Sequence, residues 1–224
     1  QGASPMVLPL VRLAVIHEGI LKKIDYKKEL KHLYNPSSKS IAIVDIPEMD
    51  FLMIDGQGDP NTSQAYSDAI EALYAVSYAM KFMIKKGELE IDYGVMPLEG
   101  LWWVDDMSQF SIDVKTNWEW TAMIMQPECV TQDLFSVACE QVAKKKLVAL
   151  PKIKFESYSE GRATQTMHLG PFSEEGPTIE RIHDFIRDSG YRRVGKHHEI
   201  YLSDIRKSSP AKWKTVIRQP VSNG

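Results

Sequence analysis

The two halves of this sequence resemble each other in the order of their apolar segments. "MIMQP" at 123–127 matches "VIRQP" at 216–220, and both segments are typical of strand ends. "LEGLW" at 98–102 precedes the first of them as "HEIYL" at 198–202 precedes the second. An internal repeat constrains the fold strongly, because both copies are expected to form the same secondary structure.

The segments upstream extend the repeat. "FLMIDGQGDP" at 51–60 stands before a long amphipathic helix that Gly87 closes. "TQTMHLGPF" at 164–172 stands before a helix that begins at Pro177 and stops at Gly190. Each half therefore has the order strand, helix, strand, strand. The sequence predicts an α+β fold of duplicated β-α-β-β modules with pseudo-twofold symmetry, in which antiparallel sheets carry helices on one side and form a central ligand cleft.

The repeat boundaries predict one working domain. We expect residues 1–21 to be a tag or an upstream leader, because the apolar run there is too short for a membrane span and lacks the pattern of a secretory signal. Residues 22–224 then form a single domain. Its two repeats cover about 40–127 and 151–222, and a connecting helix occupies 128–146.

Composition narrows the class of partner. The 224 residues are 43% hydrophobic and 25% charged, which is an ordinary globular balance. A net charge of −3 gives no general attraction to phosphate backbones, so we expect neither a nucleic acid nor a membrane as partner. Cys129 and Cys139 suit free thiols in a reducing compartment, which predicts a cytoplasmic protein.

Common catalytic motifs are absent from the sequence. Six histidines include His168 and the pair at 197–198, but no spacing matches a zinc motif such as HExxH. "GQGDPN" lacks the later glycines and the lysine of a phosphate loop, and no GxSxG nucleophile motif occurs. We therefore predict no metal and no cofactor.

Alternation along two predicted strands separates their side chains into faces. In "HHEIYL", His197, Glu199 and Tyr201 share one face of the strand. In "MPLEGLWW" at 96–103, a regular strand places Glu99 on one face and Trp102 on the other, although the proline and glycine of this segment allow a bulge. Which tryptophan of the adjacent pair faces a ligand therefore stays open at this point.

Several motifs together resemble the GyrI-like small-molecule-binding family, in its stand-alone bacterial branch. They are "DFLMIDGQGDPN", "AIEALY", "DYGVMPLEGLWW", "MHLGPFSEE", "HHEIYLSDIRK" and "KTVIRQPV", and the resemblance covers residues 22–222. It implies a central pocket for bulky aromatic or cationic molecules with a buried glutamate, and Glu199 matches that glutamate. It also implies kinship with ligand domains of multidrug-responsive transcription activators, and hydrolysis of cyclopropane-bearing alkylators in some members.

The resemblance and the faces together define a candidate site. Glu199 is the expected central carboxylate, with Tyr201 as a donor and Glu99 as its counterpart from the first repeat. Burial of such a carboxyl is expected to raise its pKa toward neutrality, which suits a general base or acid. The expected ligand-binding residues are Tyr93, Met96, Trp102, Trp103, Trp120, His168 and His197. For Tyr93 and Trp120, packing in the core is an equally good interpretation.

Three functions remain open from the sequence. The protein is expected to bind bulky aromatic or cationic small molecules, and to hydrolyse or scavenge cyclopropanoid electrophiles with Glu199 as general base. A protein that only binds, sequesters or senses such molecules needs the same pocket without turnover. A gyrase-inhibitor-like interaction protein is a weaker alternative, since no acidic block stands out.

Overall fold

The computed structural model describes residues 21–107 and 114–224, so the expected leader at 1–21 lies outside the described residues except for Leu21. Within these residues, a large antiparallel sheet, a separate parallel pair of strands (Lys22–Ile24 with Ile91–Tyr93) and five helices make up the α+β fold. The strands are β1 (Lys22–Ile24), β2 (Ala42–Ile46), β3 (Met49–Gln57), β4 (Ile91–Tyr93), β5 (Leu98–Trp103), β6 (Glu119–Gln126), β7 (Lys154–Tyr158), β8 (Gly161–Leu169), β9 (Tyr191–Arg193), β10 (His197–Tyr201) and β11 (Lys214–Asn223). The helices are α1 (Tyr26–Glu29), α2 (Lys31–Tyr34), α3 (Gln64–Lys86), α4 (Gln132–Ala143) and α5 (Gly176–Asp188).

The strand order of the large sheet confirms the predicted duplication. Eight strands follow the order β2-β8-β11-β10-β5-β6-β3-β7, and β9 pairs with β11 as a ninth strand. The order is symmetric about the β10–β5 contact, because each strand of one repeat has its counterpart at the same distance on the other side. The first strand of each repeat also pairs with the other repeat: β2 lies beside β8, and β7 lies beside β3.

Local signals set the limits of the long helices. The side chain of Ser63 accepts a hydrogen bond from the backbone N–H of Tyr66 and caps α3, and Gly87 ends that helix as expected. The connecting helix is shorter than the predicted 128–146. It begins only after Thr131, whose side chain accepts from the N–H of Leu134.

The long helices α3 and α5 cover one face of the sheet, which we call the front face, and α4 packs against α3. On the front face, α5 packs Ile182 and Ile186 against Ile217 of β11, while α3 contacts β3 and β6. The short α2 lies on the opposite, back face, where Tyr34 is 2% exposed. Helices thus lie mainly, but not wholly, on the predicted side. In the part of the chain that the structure describes, no helix is long and apolar enough to cross a membrane.

Candidate functional site

A cavity of about 1130 Å³ opens on the front face between α3 and the start of α5. Seven aromatic side chains contribute to its walls, polar and charged side chains line much of the rest, and two carboxyl groups in it, those of Glu175 and Glu199, are buried. The aromatic residues that line it are Tyr66, Tyr74, Tyr78, Trp102, Trp118, Phe172 and Tyr201. Of the predicted site residues, the structure brings together Met96, Trp102, Glu199 and Tyr201 in this cavity.

Glu199 is held on both carboxylate oxygens. His197 Nε2 lies 3.1 Å from Oε1, and the Tyr201 hydroxyl donates to Oε2 at 2.7 Å. Burial acts to raise the pKa of Glu199, but the hydrogen bonds and charge of His197 and the bond from Tyr201 outweigh it, and the pKa lies below its usual value. The expected upward shift is therefore wrong, and Glu199 is an anion at neutral pH.

Of the two adjacent tryptophans, Trp102 and Trp103, Trp102 is the one that faces the cavity. It is 2% exposed, and its ring centroid lies 5.3 Å from that of Trp118 and 5.5 Å from that of Tyr66. Its indole lies across Gly100, where an added Cβ would come within 2.8 Å of the ring. Its Nε1 atom is buried and has no hydrogen-bond partner among the described residues. Within the described part of the chain, this indole N–H is therefore an unsatisfied donor in the wall of the cavity.

We expect Gly100→Ala to destabilise the protein by about 1–3 kcal/mol, because the new methyl group displaces a fully packed indole. Urea unfolding measures this cost, and the emission spectrum of Trp102 should change with it. Gly94→Ala is the matched control, since no atom lies within 4 Å of its added Cβ. Equal stability of the two variants would contradict the close approach of Trp102 to Gly100.

The structure does not bring Glu99 and Glu199 together. In the β5–β10 register, Glu199 pairs with Gly100 and Glu99 pairs with Ile200. Directly opposed residues share a face, so Glu199 points to the front and Glu99 to the back. Aligning Glu99 with Glu199 shifts the first repeat by one residue relative to the strand pairing in the sheet. A shift of one residue moves a side chain to the opposite face of the sheet. The prediction that they share one cleft is wrong.

Glu99 instead belongs to a buried polar chain, which we call the back-face network: Tyr34, Glu99, His198, Glu160 and Arg218. Tyr34 donates to Glu99 at 2.7 Å, and His198 bridges Glu99 and Glu160 at 3.0 and 2.9 Å. Arg218 pairs with Glu160 at 3.0 Å, and the side chains of both are only 1% exposed. Although burial acts to raise it, the charges of His198 and Arg218 lower the pKa of Glu160 to about 2.

Two other predicted aromatic residues lie outside the cavity. Trp103 points to the back face, where the Lys196 ammonium lies 3.2 Å from its ring centroid. Trp120 is buried behind Tyr66, with ring centroids 5.0 Å apart and nearly perpendicular rings. Trp120 therefore supports a wall residue and does not form the cavity surface.

The remaining predicted residues also lie outside the cavity lining. Tyr93 is buried against Tyr26, with 6.0 Å between ring centroids. The His168 side chain lies 3.0 Å from the Thr178 hydroxyl beneath the start of α5. His197 contacts Glu199 rather than the open cavity. Within residues 21–107 and 114–224, no group of His, Cys, Asp or Glu side chains is arranged to hold a metal ion.

Sequence reasoning missed Glu175 and the tyrosines of α3. Tyr66, Tyr74 and Tyr78 follow one another at helical spacing and line the cavity along one edge of α3. That spacing was a usable signal, since residues four apart share a helix face. Glu175 lies in the family motif "MHLGPFSEE", but an acidic residue before a helix is equally typical of a solvent-exposed cap.

Comparisons with known proteins agree with the fold and with the cavity. Residues 39–222 match the family model of the GyrI-like small molecule binding domain. An uncharacterized conserved protein from Listeria innocua is 40% identical, with a TM-score of 0.82, over 89% of this chain and 100% of that one. A hydrolase from Listeria innocua is 42% identical, with a TM-score of 0.79, over 90% and 100%.

A more distant structure shares the fold alone. The EcmrR C-terminal domain is 16% identical with a TM-score of 0.52, over 83% of this chain and 98% of that one. No curated protein matches this chain significantly. The family match spans most of the sequence and includes every residue of the cavity's deep polar surface. The chain therefore belongs to the GyrI-like small-molecule-binding domain family.

Proposed function

We propose that this protein binds bulky aromatic or cationic molecules in the front-face cavity and hydrolyses cyclopropanoid electrophiles there. The observation that carries the proposal is an ionised carboxylate, Glu199, fixed in an aromatic cavity beside the free indole N–H of Trp102. Two Listeria innocua proteins of 40–42% identity are described as hydrolases, which supports a catalytic use of the same cavity.

The walls favour flat and positively charged ligands. Aromatic faces such as those of Tyr66 and Trp102 stack on planar rings, and each well-placed contact of a cation with a ring contributes about 0.5–2 kcal/mol. Glu199 adds a negative charge in a site that excludes much of the solvent. A volume of about 1130 Å³ admits a molecule with several fused or linked rings.

The same residues provide the parts of a ring-opening reaction. Water attacks the methylene carbon of a cyclopropane conjugated to a carbonyl, a C–O bond forms, and the ring C–C bond breaks. The electron pair of that bond moves to the carbonyl oxygen, while Glu199 takes the proton from water. The Trp102 N–H can donate to the oxygen as charge develops there. Tyr201 donates to Glu199 and so orients the base.

Sequestration without turnover is the second candidate function. The lowered pKa of Glu199 favours it, because a permanently ionised carboxylate attracts cations over the whole neutral range. The two functions differ in one measurable respect. Binding of an aromatic cation needs only the charge of Glu199, whereas hydrolysis needs its basicity.

We expect Glu199→Gln to abolish most ring opening of a cyclopropanoid alkylator, by about 10²–10⁴-fold, because the amide cannot accept a proton. Mass spectrometry of the ring-opened product measures the rate. The same variant should bind ethidium, a planar cation, about tenfold less tightly, since a loss of about 1.4 kcal/mol is a factor of ten.

Glu156→Gln is the control, because this glutamate is exposed on β7 and far from the cavity lining. If wild type forms no more product than buffer but binds ethidium, the hydrolase proposal fails and sequestration remains. If wild type does not bind ethidium either, the cavity is not the ligand site that we propose.

A further inference from the structure

Glu175 is a second carboxyl group in the wall of the cavity. The turn at Phe172–Glu174 brings it to the start of α5, and Phe172 packs on Tyr201 with 5.4 Å between ring centroids. Glu175 is 4% exposed and Glu199 is 7% exposed, and both line the same cavity. The two acids therefore line one cavity, and each side chain is itself largely shielded from solvent.

Glu175 differs from the other buried glutamates in its hydrogen bonds. Glu99, Glu160 and Glu199 each have donors on both carboxylate oxygens. The Oε1 atom of Glu175 is buried without a hydrogen-bond partner among the described residues. Buried polar atoms are nearly always satisfied, and buried carboxylates are nearly always paired, so this exception requires a physical reason.

We propose that Glu175 is a protonated carboxylic acid that donates a hydrogen bond to an acceptor oxygen of the ligand, while Glu199 remains the anion of the pair. The site would then select planar molecules that carry a carbonyl group or a similar acceptor. This inference rests on the proposed function, because it takes the front-face cavity as the ligand site.

The charges around Glu175 support this assignment. Burial and the negative charge of Glu199 raise the pKa of Glu175 to about 9, and the side chains of Thr215 and Lys115 oppose the shift without cancelling it. Among the described residues, Tyr201 also interacts electrostatically with Glu175. A pair of carboxyl groups whose surroundings drive their pKa values apart divides into one acid and one base.

In the ring-opening reaction, Glu199 and Glu175 would carry out the two proton transfers that the reaction needs. Glu199 accepts the proton of the attacking water, the ring C–C bond breaks, and the carbonyl oxygen that gains the electron pair takes the proton of Glu175. Exchange with solvent returns a proton to Glu175 and removes one from Glu199. No other co-reactant is needed, and both glutamates are placed to contact one ligand.

The test uses two tricyclic probes of similar size, xanthone with a carbonyl group and xanthene with a methylene group in its place, measured by calorimetry. Wild type should bind xanthone about tenfold more tightly at pH 7, which is the effect of one added hydrogen bond. This preference should vanish as the pH rises past about 9, where Glu175 loses its proton. Glu175→Ala should remove the preference at every pH.

Glu175→Gln distinguishes a donor from a merely structural residue. The amide N–H still donates, so this variant should keep the preference for xanthone but lose its dependence on pH. Glu174→Gln is the control, because this neighbouring glutamate is exposed. An infrared band of a protonated carboxylic acid at pH 7, absent in Glu175→Gln, reports the protonation state of folded protein without any ligand.

The outcomes separate the two proposals. If ethidium binds but wild type does not distinguish xanthone from xanthene, the role of Glu175 is wrong and the ligand site stands. The same conclusion follows if the infrared band is missing. If ethidium and both tricyclic probes fail to bind, the proposed function fails and the role of Glu175 fails with it.

Discussion

Arg218→Met is expected to lower the free energy of unfolding by about 3–5 kcal/mol, which is a large part of the stability of a typical domain. The substitution leaves Glu160 with a buried charge and removes its closest guanidinium partner. It also removes the bonds from Arg218 to the side chain of Gln165 and to the backbone carbonyl of Leu33. These bonds attach α2 to the back of the sheet, so docking of the N-terminal segment should weaken too.

Urea unfolding gives the cost, and Arg162→Met on the exposed side of β8 is the matched control. Arg162 pairs with Asp45 in solvent, where ion pairs contribute little. The double variant Arg218→Met with Glu160→Leu should recover much of the loss, because it removes the stranded charge as well. A loss below about 1 kcal/mol in the single variant would contradict a buried ion pair at this position.

Glu175→Gln is expected to stabilise the protein at alkaline pH, even though it alters the cavity wall. A carboxyl group whose pKa is raised in the folded state contributes stability that is fully present below the unfolded value of 4.5 and is lost as pH rises through about 9. The glutamine variant has no such loss. Each unit of pKa difference corresponds to about 1.4 kcal/mol, so the gap between the two proteins should reach a few kcal/mol at pH 9.

The measurement is the difference in unfolding free energy between the variant and wild type across pH 4–9, the window set by the two values for Glu175. Glu199 is present in both proteins, so its own titration largely cancels. Glu174→Gln should show no such trend, because its carboxyl group is exposed. A flat difference between Glu175→Gln and wild type would show that Glu175 is ionised in the folded protein.

The sequence predicted the repeat and the shared face of Glu199 and Tyr201 because both depend on local patterns. The matching segments at 123–127 and 216–220 belong to equivalent strands β6 and β11, which confirms the duplication, although β11 continues to Asn223 and does not end there. Alternation along β10 placed Glu199 and Tyr201 together, and the structure joins them by a hydrogen bond. Their catalytic roles stay predictions.

What the sequence missed depends on contacts between distant segments. The pairing of Glu99 with Ile200 determines which face of the sheet Glu99 lies on. A comparison of residue types between the two repeats cannot detect a shift of one residue in the strand register. Tyr34 and Arg218 meet Glu99 and Glu160 only because the fold brings segments together across the sheet. The expected shift in the pKa of Glu199 is wrong for a different reason. Alternation places His197 and Tyr201 on the correct face, but the strength of their interactions with the carboxylate, which outweighs burial, depends on the geometry of the folded site.

The exchange of edge strands between the repeats has a consequence for folding. Ala42 pairs with Gln165, and Met49 pairs with Tyr158, so neither half can complete its own sheet before the other half is synthesised. Such distant pairings raise the contact order, and proteins of high contact order fold slowly. One repeat alone would therefore leave β2 or β7 without its partner strand, so the two halves depend on each other for a complete sheet.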